Sequence, residues 1–157
     1  MAVDIGAEAI DRAASLPCNF TIINKTHPAS SNGTVTSIDI WARMDITGLK
    51  IGAFYATNGN TLKCRASEAI AGTITAGSKV TKAVSLTVIT GDYIGCYFTN
   101  GELEGDSGVP PGLWYVEGEY IDPNDEATYT FLAGYVGSLG GYFEVPAVGR
   151  SFGFIIG

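Results

Sequence analysis

One histidine, three cysteines and sixteen carboxylates limit the chemistry that this 157-residue chain can perform. His27 precedes Pro28 in a stretch rich in Thr, Ser and Asn, which reads as a solvated loop and not as the seat of a general base. Any Ser-His-Asp or Cys-His arrangement would have to run through that one imidazole, and no G-x-S-x-G turn accompanies it. Two carboxylates can hydrolyse glycosides without histidine, yet no acidic pair here sits in a diagnostic context. The expectation is a protein that is not an enzyme, with no catalytic residues and no cofactor.

Two acidic stretches do have the chemistry of a hard-cation site. Glu102, Glu104 and Asp106 stand at alternate positions, hence on one side of an extended chain, while Asp122 and Asp125 belong to a second acidic turn. Oxygen ligands of this kind suit structural calcium. Neither stretch follows the EF-hand order D-x-[DN]-x-[DN]-G, so two solvated loops are the preferred reading. Trp41 and Trp114 are candidate platforms for stacking a sugar of a surface glycan, with core or interface packing as the competing role. Alternation places Trp41 outward beside Asp39 and Trp114 inward with Val116. Asn19-Phe-Thr21, Asn24-Lys-Thr26 and Asn32-Gly-Thr34 are glycosylation sequons, which matter only if the chain is exported.

Cys18, Cys64 and Cys96 each fall on the apolar register of a strand-like run, and their spacings match no zinc pattern. They read as reduced, buried thiols acting as small hydrophobes. The first sixteen residues lack the basic and apolar regions of a secretory signal, so synthesis in a cytosol is expected. Apolar residues make up 46% and charged residues 16%, which excludes a disordered acidic chain and suits one domain. A net charge of −7 argues against nucleic acid as a partner, and no apolar run reaches the roughly 18 residues needed to span a membrane. Charge is divided along the chain: residues 25–82 hold seven bases against three acids, and residues 83–149 hold ten carboxylates and no Lys or Arg. Opposite blocks on one subunit favour association with copies of itself.

Period-two alternation dominates the elements that must position these residues. In the run from Thr34 to Ala42, Ile38, Ile40 and Ala42 share one face while Ser37, Asp39 and Trp41 share the other. Strands are expected at 18–24, 34–42, 47–56, 61–66, 84–88, 93–99, 113–120, 128–136, 141–145 and 151–156. Asn32-Gly33, Asn58-Gly59 and Asn100-Gly101 mark turns. Many short strands without alternating helices predict an all-β antiparallel sandwich over residues 17–157. Residues 1–16 read differently, as a detached arm or as a helix capped by Asp4, with Ile5, Glu8, Ala9, Arg12, Ala13 and Leu16 at helical spacing and Pro17 as its stop. At least one terminus is expected to reach a neighbouring subunit, residues 1–16 as an arm or 151–156 as a strand that otherwise tucks into its own sheet.

The runs Gly33-Thr-Val-Thr-Ser-Ile-Asp-Ile-Trp41, Thr87-Val-Ile-Thr-Gly-Asp-Tyr-Ile-Gly-Cys-Tyr-Phe98 and Gly112-Leu-Trp-Tyr115 resemble jelly-roll-like β-sandwich modules of phage and other viral structural proteins. The resemblance covers residues 18–136 and lies in strand rhythm and the Gly-Asp turn, so no functional residue carries over. It implies a virion protein, a capsid decoration or tail-associated subunit, whose partners are copies of itself and a major capsid or tail protein. Two other functions compete: a carbohydrate-binding module, and an extracellular fibre subunit joined by strand exchange.

Overall fold

The structure is a computed structural model that describes residues 3–143; the expected strand at 151–156 lies outside the described residues. The chain folds as an all-β antiparallel sandwich, and no helix occurs among the described residues. Its strands are β1 (Ile5–Gly6), β2 (Ala14–Pro17), β3 (Phe20–Asn24), β4 (Gly33–Thr47), β5 (Leu49–Asn58), β6 (Thr61–Ile70), β7 (Lys79–Val88), β8 (Tyr93–Tyr97), β9 (Asn100–Glu117), β10 (Glu126–Thr128), β11 (Thr130–Gly137) and β12 (Leu139–Phe143).

Two strands organise the layers. Up to Trp41, β4 lies between β12 and β7; from Ala42 onward it pairs with β9 and so passes from the smaller layer to the larger one. The strand β9 serves β2, β3, β4 and β11 in turn along its length. Inward residues of the smaller layer, Ile5, Val35, Ile38, Ile40 and Leu86, meet Ile22, Ile51, Ile94 and Cys96 of the larger one in the main core. Burial of such a side chain stabilises by about 1.5–3 kcal/mol, so the alternating face of β4 alone commits it to this layer.

A second core lies on the other face of the larger layer. There Ile23, Phe54, Leu62, Cys64, Trp114 and Tyr129 are closed over by Ile121, from the segment that joins β9 to β10. A side chain at position 95 would not fit beneath it. A Cβ on Gly95 would stand 2.9 Å from the Phe54 ring and 2.7 Å from the Ile22 carbonyl.

The N-terminal segment corrects the helical reading. Val3, Ile5, Ala7 and Ala9 are all buried, a period of two, and the segment runs extended across its own domain. The strand β1 pairs with β12, and β2 pairs with β9 and straddles the expected boundary at residue 16. Ala7 donates to the Leu139 carbonyl and Gly6 to that of His27. The Ala7 carbonyl passes so close to Gly140 that no Cβ would fit there. An Ala-rich stretch satisfies helical spacing and strand alternation equally well, and the contacts with β12 decide between them.

Candidate functional site

The calcium candidates are not brought together. Residues 102–106, read as a loop, are strand within β9. Glu104 is buried and accepts from the Arg12 backbone N–H at 3.0 Å and the Arg43 guanidinium at 3.4 Å, while Asp106 accepts from the N–H of Ser107. Glu102 stands half-buried opposite Met44. Asp125 closes its own turn by accepting from the Asp122 N–H, and Asp122 faces Lys50 at 3.0 Å. Among the described residues no three His, Cys, Asp or Glu side chains converge to hold a metal.

Trp114 points inward, as alternation requires. Its indole N–H donates to Asn60 at 2.9 Å, Tyr93 and Phe131 pack against its ring, and the Lys25 ammonium lies 5.3 Å from the ring centroid. At 3% exposure it keeps no face for a sugar, so the stacking role fails for this residue. Trp41 is half-exposed. Cys64 and Cys96 are buried, and burial pushes both thiols up to about 12; Cys18 is only half-buried, so the expectation of three buried thiols holds for two. His27 is exposed.

The middle sequon is a structural device. Asn24 is buried at 3% exposure, and its carboxamide donates to the Gly137 and Leu139 carbonyls at 2.9 and 3.1 Å and accepts from the Gly137 N–H at 3.0 Å. It ties β3 to the β11–β12 corner and has no room for a glycan. Asn19 and Asn32 are exposed.

The two charge blocks meet inside the subunit. Arg65 forks onto Asp92 at 2.6 and 3.1 Å, Arg43 meets Glu104, and Lys50 bonds Glu119 and Asp122. Each pair joins a base of 25–82 to an acid of 83–149. Hydrogen bonds donated to Glu119 and Asp92 accordingly raise the Lys50 and Arg65 pKa values. The linear charge split therefore supplies folding contacts, and it no longer argues by itself for association.

Among the described residues two surface features stand out. An apolar groove of about 230 Å³ is lined by Leu16, Pro17, Phe20, Ile22, Leu113, Tyr115 and Leu132, where the main core opens between β2, β3, β9 and β11. On the outer face of the smaller layer lies a polar cleft of about 220 Å³, lined by Glu8, Ala9, Ile10, Asp39, Lys79 and Tyr142. Asp39 sits at its base, 3% exposed, and accepts from Thr81 Oγ1 at 2.5 Å and from the Tyr142 hydroxyl at 2.7 Å; Lys79 Nζ stands 4.0 Å away. The bond to Asp39 pushes the Tyr142 phenol up to about 12, so it stays protonated at neutral pH. Sequence reasoning puts Asp39 on an outward face and misses the cleft, because the segment from Glu8 to Ile10 that walls it reads in one dimension as a detached arm or a helix. No family model, no curated protein and no solved structure matches this chain.

Proposed function

We propose that this chain is a non-enzymatic structural subunit of a self-assembled particle, a jelly-roll-like virion protein of the capsid-decoration or tail-associated kind, whose first partner is a second copy of itself. The supporting observation is the apolar groove. Its lining offers no charged side chain to orient a polar ligand, while Phe20, Tyr115 and Leu132 are only half-buried and Pro17 is exposed. Water against such a surface is displaced favourably by an apolar side chain from another protein. The chain carries suitable knobs of its own: Met44 is 56% and Ile89 43% exposed. A groove and knobs at different places on one subunit form a head-to-tail contact, which closes into rings or extends into filaments.

Sedimentation velocity and negative-stain microscopy of the purified chain test this reading. The expected result is a defined oligomer that dissociates in Leu132→Glu and in the double variant Met44→Lys, Ile89→Lys, with unchanged circular dichroism. A native chain that stays monomeric at high concentration, or an oligomer untouched by both changes, would overturn it.

A further inference from the structure

The polar cleft over Asp39 has a composition of its own. At its base the Asp39 carboxylate, held by Thr81 and Tyr142, is buried and supplies negative charge beneath the side chains that line the opening. The Tyr142 oxygen donates to Asp39 and keeps a lone pair free to accept. Glu8 adds a second carboxylate at the rim, and Lys79, its side chain 55% exposed, adds an ammonium with three donors. Ala9 and Ile10 form an apolar wall, with Ile10 45% exposed. Trp41 lies on the same face of β4 as Asp39, two residues on, in register opposite Lys79.

Acceptors, donors and apolar surface within one small cleft match a ligand whose hydroxyls and C–H faces alternate. We infer that the cleft binds a neutral, polyhydroxylated ligand: a single sugar ring of a surface glycan. Charge decides against the alternatives. Asp39, Glu8 and the nearby Asp4 outnumber Lys79, which repels acidic sugars and phosphates. Lys79, whose ammonium stands 4.0 Å from Asp39, already supplies the positive charge that a metal or an amine would bring. At about 220 Å³ the cleft is smaller than the roughly 300–1,000 Å³ of sites for drug-sized ligands, so one ring fills it. This inference stands apart from the self-assembly reading, since groove and cleft share no lining residue.

The test uses the intact chain in ¹⁵N–¹H correlation spectra, titrated with the methyl glycosides of glucose, galactose, mannose and N-acetylglucosamine, and with sialic acid and methylamine as charged probes. At least one neutral glycoside should shift the amides of Glu8, Ala9, Asp39 and Tyr142 saturably, with a dissociation constant of roughly millimolar order. Lys79→Met and Glu8→Gln change exposed side chains and leave the fold intact; each should weaken that binding several-fold, and the pair by tenfold or more. The inference fails if no neutral glycoside binds, if the shifts map elsewhere, if the double variant binds as well as the native chain, or if only a charged probe binds.

Discussion

Replacing Asn24 by alanine probes the most consequential polar contact that the fold conceals. The substitution removes a carboxamide that is 3% exposed and makes three hydrogen bonds across 113 to 115 residues of chain. Leu139 retains the Ala7 N–H as a partner for its carbonyl, whereas Gly137 loses an Asn24 partner at both its N–H and its C=O. Each buried group left short of a partner costs about 1–3 kcal/mol, so N24A should lose about 2–5 kcal/mol. For a domain of this size that lowers Tm by roughly 5–15 °C. N24D should be worse, because a carboxylate cannot donate and would face two carbonyl oxygens. N32A, which frees only the exposed Thr90 N–H and hydroxyl, should cost under about 1 kcal/mol. Urea unfolding of the three variants, followed by tryptophan fluorescence, measures the series. The reasoning is refuted if N24A lies within about 0.5 kcal/mol of the native chain, or if folded protein from a glycosylating host carries a glycan at Asn24.

Other consequences are as direct. With a disulfide-exchange reagent at neutral pH, the native chain should expose one reactive thiol, Cys18, and three after denaturation, since burial pushes Cys64 and Cys96 up to about 12. These thiols and Tyr129 all have folded pKa values raised by burial, so the unfolded chain ionises first. Their contribution to stability should therefore be level from neutral pH to about pH 9 and fall as pH rises toward 12, which thermal melts across that window would show. Added salt should weaken the Arg43, Lys50 and Arg65 pairs and lower Tm slightly, yet leave association through the apolar groove unchanged or stronger; dissociation by salt would show that charge carries the contact. Deleting residues 2–16 removes β1, β2 and the wall over Gly140, and should abolish cooperative melting. A truncated chain that melts as sharply as the native one would restore the detached-arm reading.

The all-β class was legible in the alternation of Ile38, Ile40 and Ala42 and of Val84, Leu86 and Val88, because a period of two is imposed by the pleat before any partner is chosen. Asn58-Gly59 marked the β5–β6 hairpin for a similarly local reason, since Gly59 has a φ of +62°. The inward side of Trp114 followed from its neighbour Val116. What the sequence could not determine depends on which strands become neighbours. Residues 102–106 look like a charged loop until Arg12 and Arg43 are placed beside Glu104. Asn24 looks like a surface sequon until β11 and β12 arrive to accept its hydrogen bonds. Two charge blocks, far apart in sequence, suggest two sticky surfaces until Arg65 meets Asp92 and Lys50 meets Glu119 within one subunit. The cleft over Asp39 is assembled from four separate parts of the chain, so its composition has no local signature. Strand periodicity is a property of the backbone and can be read in one dimension; desolvation and pairing of polar groups depend on distances between remote residues, and only the tertiary structure sets those.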